Sequence, residues 1–201
     1  CNRFLRLYPA YFFVLILSAA LIFLMNGFIA EYKGAMYIPS TLGGVLQNLT
    51  MIYMNPFPIN VEPRLSPPTW ALTIEIVYYV LIGLGLSRNR ILTLGWLMLS
   101  LAYTAYTLYL GLDNSYRYAM VVGGSLPFAL GATLYHYRKE AGNLLACLPS
   151  VIVNPWCVIT LFFINVAARC YVPGMWWLGF YTNLVIAVYI VAVLSIYPLS
   201  G

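Results

Sequence analysis

Pro9-Ala10-Tyr11-Phe12-Phe13-Val14-Leu15-Ile16-Leu17-Ser18-Ala19-Ala20-Leu21-Ile22-Phe23-Leu24-Met25-Asn26-Gly27-Phe28-Ile29-Ala30 contains no charged side chain and is rich in Leu, Ile and Phe. A helix rises ~1.5 Å per residue and a bilayer's hydrocarbon core is ~30 Å thick, so about 20 apolar residues cross it. This run meets that length, and Pro9 suits a first helical position, where no N–H partner is needed. It reads as a membrane-spanning helix.

The rest of the chain repeats the pattern. Runs 69–86, 91–112, 118–137 and 176–197 meet or approach the same length. A sixth, 150–168, is weaker, because it holds Pro155 and is cut off by Arg169 and Pro173. Gly123, Gly124 and Gly131 in the fourth run allow close helix approach. Of the 201 residues, 63% are hydrophobic and 7% charged, and the mean hydropathy is +0.86. Soluble domains carry about 25% charged residues, so a water-soluble globular protein is excluded. The expected fold is all-α: one polytopic transmembrane bundle over 1–201, with about six spans.

The charges sit between the apolar runs. The net charge of +5 therefore reports topology and anionic headgroups first, and no nucleic-acid partner is expected. With Arg3 and Arg6 in the cytoplasm, six spans put Arg88, Arg90, Arg138 and Lys139 inside, and Lys33, Arg64, Arg117 and Arg169 outside. The excess is modest and runs in the positive-inside direction. It implies a multi-pass protein of the cytoplasmic (inner) membrane. The count requires residues 31–68 to return without crossing. Their apolar piece, 41–54, holds Gln47, Asn48 and two glycines and is short for a span, so it reads as interfacial or re-entrant. Asn48-Leu49-Thr50 matches a glycan acceptor pattern, which we discount at that depth.

Cys1, Cys147, Cys157 and Cys170 form no CxxC pair, and with His136 as the single histidine no metal constellation is expected. His136 reads as a headgroup-level residue beside Arg138 and Lys139, or as a base without an evident partner. Asn165 and Asn183 lie in apolar runs, where they suit helix–helix hydrogen bonds.

Two stretches carry chemistry. In Arg3-Phe4-Leu5-Arg6-Leu7-Tyr8-Pro9-Ala10-Tyr11, arginines three apart share a helix face. They are either positive-inside anchors or a clamp for a ligand's phosphates, which guanidinium groups take in a fork. In Thr69-Trp70-Ala71-Leu72-Thr73-Ile74-Glu75, an acid sits about six residues, or roughly 9 Å, into a span. An intramembrane carboxyl is a functional candidate by default, with a structural ion partner as the plainer role. Trp70 is an interfacial belt residue or the wall of a sugar-sized pocket.

Together these two stretches resemble the bacterial membrane acyltransferase 3 family of sugar O-acyltransferases. The first is similar to that family's arginine-pair motif, the second to its tryptophan-leucine-glutamate helix. Pro127-Phe128-Ala129-Leu130-Gly131, followed by Tyr135 and Arg138, is a softer echo. The resemblance implies an O-acyltransferase that moves an acyl group, usually acetyl, from acetyl-CoA or another acyl-CoA to a hydroxyl of a cell-envelope carbohydrate. By that resemblance Arg3 and Arg6 hold the donor's phosphates and Glu75 is catalytic. Trp70 and Tyr11 are the candidate saccharide contacts. On the six-span topology the arginines and Glu75 lie toward opposite faces, separated by much of the ~30 Å core.

The family's histidine belongs to a helix upstream of the arginine pair, and His136 does not match it. The chain opens on Cys1-Asn2-Arg3 and ends on Pro198-Leu199-Ser200-Gly201 just past an apolar run. It therefore reads as part of a longer acyltransferase, inactive by itself. The competing functions are a transporter or flippase for lipid-linked saccharides, indifferent to an acyl donor, and a structural bundle subunit.

Overall fold

The protein is described by a computed structural model over residues 2–25, 36–147, 149, 153–171 and 176–194. Among these residues every regular element is helical. The α-helices are α1 (Asn2–Leu24), α2 (Leu42–Thr50), α3 (Thr69–Gly83), α4 (Arg90–Tyr109), α5 (Ser125–His136), α6 (Arg138–Ala146), α7 (Pro155–Tyr171) and α8 (Trp176–Leu194). A 3-10 turn spans Pro58–Asn60, and a π turn spans Ser115–Ala119.

Among the described residues, two helices are long and apolar enough to cross a membrane, over Leu7–Leu24 and Arg90–Tyr109. Thr69–Gly83, Pro155–Ala168 and Tyr181–Val191 are apolar but shorter. The all-α expectation holds. The run expected over 118–137 is not one helix: a π turn and an irregular stretch precede the 12-residue α5. The glycines cause the break. A Cβ on Gly123 would lie 2.7 Å from the Arg117 carbonyl carbon and closer still to the Tyr116 carbonyl oxygen. A Cβ on Gly124 would lie 2.6 Å from Ile74 Cγ2. Only a chain without side chains there folds back so tightly.

Pro9 lies inside α1 rather than at its start. It removes one intrahelical hydrogen bond, which membrane helices tolerate when neighbours re-satisfy the freed group. Pro155 does occupy the first position of its helix. The polar helix α6 was not expected at all: its sequence, RKEAGNLLA, carries no apolar run. The expected run ends at 26–30, 150–152 and 195–197 lie outside the described residues.

The chain divides into two compact units, each built from non-contiguous segments. The first comprises Cys1–Leu84 and Thr107–Gly124. Its core is Tyr11, Leu15, Met51, Leu65 and Ile76, with Tyr8, Ala19, Ile22 and Leu72 packed around it. The second comprises Gly85–Tyr106 and Ser125–Gly201. There α8 packs on α5, α6 and α7. Val153, Val158 and Val193 are buried against Leu145, Tyr189 and Ile190. At one end of this unit Arg90 pairs with Glu140 at 2.9 Å and lies over the Tyr137 ring. His136 Nε2 is 3.1 Å from the Ser87 carbonyl oxygen. Asn165 bonds Thr182 at 3.3 Å, the helix–helix role expected of it.

Burial along α4 is inverted relative to a water-soluble helix. Thr93, Trp96, Ser100, Thr104 and Thr107, spaced three or four apart, are buried. Ile91, Met98 and Leu99 are exposed at 82%, 65% and 73%. The buried polar groups find partners: Trp96 Nε1 donates to Ser125 Oγ at 2.7 Å, and the Ser100 and Ser125 hydroxyls are 2.8 Å apart. On α1, Phe13, Ile16 and Phe23 are likewise exposed while Tyr11 and Leu15 are buried.

Candidate functional site

The site lies in the first unit, where the stretch after α1 returns to the beginning of that helix. Thr41 starts α2 as an N-cap, its hydroxyl accepting from the Gly44 N–H at 3.2 Å. At nine residues α2 is ~13 Å long, too short to span. Its last turn lies beside α1: Tyr8 Oη donates to the Thr50 carbonyl at 3.1 Å, and Tyr11 Oη donates to the Asn48 carbonyl. Tyr11 is nearer the start of α1 than its end. The segment expected to be interfacial or re-entrant thus reaches back toward the arginine-bearing end of α1.

Met51 then turns the chain with φ 57°, the left-handed conformation that commonly ends a helix, and is fully buried. Its carbonyl accepts a 2.7 Å hydrogen bond from Thr73 Oγ1 of α3. The links Tyr8–Thr50 and Met51–Thr73 meet at consecutive residues of one turn. They make the start of α1 a neighbour of the second turn of α3. Arg6 is two residues before Tyr8, and Glu75 two residues after Thr73.

Asn48 is the hub of this turn and is 1% exposed. Its Nδ2 donates to the Gly44 carbonyl at 2.9 Å and the Pro63 carbonyl at 2.8 Å. Its Oδ1 accepts from the Leu65 N–H at 3.0 Å and from Tyr53 Oη at 3.3 Å. All four side-chain hydrogen-bond positions are used, so Asn48 in the folded protein is no glycan acceptor. Burial pushes the Tyr53 phenol up to about 12, with nearby Tyr11 adding to the rise and Thr69 and Arg64 opposing it. Tyr53 therefore remains a donor.

The sequence-derived candidates fall as follows. Arg3 and Arg6 occupy the first two turns of α1, and their side chains lie outside the described residues. Glu75 is half-buried and accepts a hydrogen bond from the Tyr79 hydroxyl one turn on. Trp70 is also half-buried and meets Tyr118 edge-on, with ring centroids 5.6 Å apart. Tyr11 is enclosed in the core, and its hydroxyl is engaged by Asn48. Sequence reading missed Asn48, Tyr53, Arg64 and Tyr79. A polar Asn in a run too short to span was the available signal for the first. Arg64, counted with an outer loop, is held between two residues tethered to Asn48.

Compared with known family models, curated proteins and solved structures, the chain matches none.

Proposed function

We propose that this chain forms the membrane-embedded core of an O-acyltransferase moving an acyl group from an acyl-CoA donor to a hydroxyl of a cell-envelope saccharide. The observation that carries the reading is the pair of hydrogen bonds Tyr8–Thr50 and Met51–Thr73. They link Tyr8, which follows the arginine pair on α1, and Thr73, which precedes Glu75 on α3, to consecutive residues of one turn, and this supports a reading in which the two stretches that resemble acyltransferase motifs act together. The inverted burial of α1 and α4 supports a lipid surrounding. The finer topology we propose is multi-pass in the cytoplasmic membrane, with the apolar helices crossing together as a bundle.

In this reading Arg3 and Arg6 bind the donor's phosphates, as guanidinium forks do. Glu75 accepts the proton of the acceptor hydroxyl as its oxygen bonds to the thioester carbonyl carbon. The carbon–sulfur bond breaks, and coenzyme A leaves as a thiolate that takes up a proton. Trp70, with Tyr118 behind it, offers an aromatic face to a sugar ring. Tyr79 orients the Glu75 carboxylate.

The test is transfer of labelled acetyl from acetyl-CoA to envelope saccharide by the protein expressed from its natural start codon, in membrane vesicles. Glu75→Gln is expected to lower kcat by about 10²–10⁴-fold. The Arg3→Ala/Arg6→Ala double variant is expected to raise the donor KM. Movement of a saccharide across the vesicle with no acyl-CoA present and no acyl group gained would establish the flippase reading instead. A silent Glu75→Gln would point to a structural subunit.

A further inference from the structure

Arg64 carries a further assignment, one that rests in part on the reading above. Its neighbours in sequence, Pro63 and Leu65, are both tied to the side chain of Asn48, at 2.8 and 3.0 Å. Asn48 is itself buried and saturated. The backbone on either side of Arg64 is therefore fixed to a single rigid group, and the residue is presented from a pinned loop rather than a free one. Four hydrogen bonds converge on this one side chain, three of them buried, and they position whatever the loop displays.

What it displays is a guanidinium whose Nε atom is out of solvent and has no hydrogen-bond acceptor among the described residues. Nε–H together with one Nη–H is the side-on fork with which arginine takes the two oxygens of a phosphate or carboxylate. A desolvated N–H of a cation left without an acceptor is unfavourable by itself, and an oxyanion is the ligand that removes the cost. The charge lies near enough to the Tyr53 phenol to oppose its upward shift. Arg117 has a buried Nε as well, but the Asp113 carboxylate lies close enough to respond to its charge.

The position is informative too. Asn48 is bonded to Tyr11, and Arg6 and Arg3 precede Tyr11 on α1 by ~7.5 and ~12 Å along the axis. Arg64 thus lies in a loop tied through Asn48 to Tyr11 of α1, the helix that carries both arginines. We propose that Arg64 is an oxyanion-binding residue, taking a phosphate or carboxylate side-on within the α1–α2–α3 cradle. Two sources share that chemistry: the phosphates of an acyl-CoA donor and the carboxylate of an acidic sugar in the acceptor.

The experiment measures calorimetric binding of coenzyme A and of glucuronate to the full-length protein in nanodiscs. The forms compared are wild type, Arg64→Lys, which keeps the charge and loses the fork, and Arg64→Gln. The expected result is at least a tenfold rise in Kd for one probe in both variants. A rise confined to coenzyme A assigns the donor; one confined to glucuronate assigns the acceptor. Coenzyme A bound by wild type, with both affinities unchanged within twofold in variants of unaltered Tm, overturns the assignment and leaves the acyltransferase reading intact. Arg64-dependent glucuronate binding without coenzyme A binding does the reverse. Wild type that binds neither probe overturns both. Should the variants fail to fold, phenylglyoxal labelling of wild-type Arg64 decides: protection by either probe supports the role, and equal labelling with and without both refutes it.

Discussion

Asn48 is buried and uncharged, yet more of the candidate site depends on it than on any residue with evident chemistry. Asn48→Ala would strand the Pro63 carbonyl, the Leu65 N–H and the Tyr53 hydroxyl together. Each buried group left unpaired costs about 1–3 kcal/mol, so the variant is expected to lose at least about 2 kcal/mol and to show a lowered Tm in detergent. Tyr79→Phe tests a different kind of dependence. It removes one hydroxyl from the Glu75 carboxylate and leaves packing nearly intact. Hydrogen bonds to charged groups contribute about 1.5–3 kcal/mol to stability, so Tm is expected to fall modestly, and kcat about tenfold or more as the carboxylate loses its orientation. In a Glu75→Gln background the same substitution should add little, because the group through which Tyr79 acts has lost its charge.

At the scale of elements, the glycines separate two roles that look alike in sequence. Gly123 sits against the backbone carbonyls of Tyr116 and Arg117, which have nowhere to go, whereas a Cβ on Gly131 would meet nothing within 4 Å. Gly123→Ala is therefore expected to yield misfolded protein by size-exclusion profile. Gly131→Ala, inside α5, is expected to leave Tm unchanged or raise it, by up to about 1 kcal/mol in stability. The ion pair joining α4 to α6 gives the pH prediction. Its own backbone N–H and the nearby Arg90 hold the Glu140 carboxyl below its ordinary 4.5. A depressed folded-state value means that the contribution is complete above the unfolded value and is lost as pH falls through the folded one. Both side chains are about half exposed, so the effect is small and salt-sensitive. Tm of wild type and Glu140→Gln, followed from about pH 6 to about pH 3, should differ slightly at the upper end and converge at the lower.

For the whole molecule, the decisive property is which side chains face outward. Trp156, Phe163, Leu99 and Phe23 are exposed at 75%, 64%, 73% and 76%, while the Ser and Thr of α4 are buried. Such a surface is unfavourable in water and ordinary in lipid. The protein is expected to stay with membranes through alkaline carbonate extraction. In a variant retaining Trp156 as the only tryptophan, brominated lipid is expected to quench its fluorescence. Leu99→Arg should impair insertion by about 2.5–3.5 kcal/mol if it faces the bilayer centre, read as a fall in the membrane-integrated fraction. Release into the soluble fraction without detergent would refute the lipid-facing assignment.

The all-helical class was legible because it depends on local quantities: the length of uncharged runs and the scarcity of charge in any of them. The same runs marked α1 and α4 as able to cross, but marked alongside them runs whose described apolar helices are shorter, at Thr69–Gly83, Pro155–Ala168 and Tyr181–Val191. Trp70 and Glu75 were legible as candidates because polar or amphipathic groups in an apolar stretch stand out wherever they are. What needed the tertiary structure was every relation between distant residues. No periodicity announces that α2 ends against Tyr8 and Tyr11, that Met51 joins it to Thr73, or that Asn48 holds Pro63 and Leu65. Helix formation follows from neighbours three and four apart, whereas those contacts span from 15 to 42 residues and exist only because buried polar groups must find partners somewhere in the fold. The sequence by itself determined that the chain is helical and apolar. The folded chain alone decided that Tyr8, Thr73 and the backbone on either side of Arg64 are tied to one turn of chain, residues 48–51.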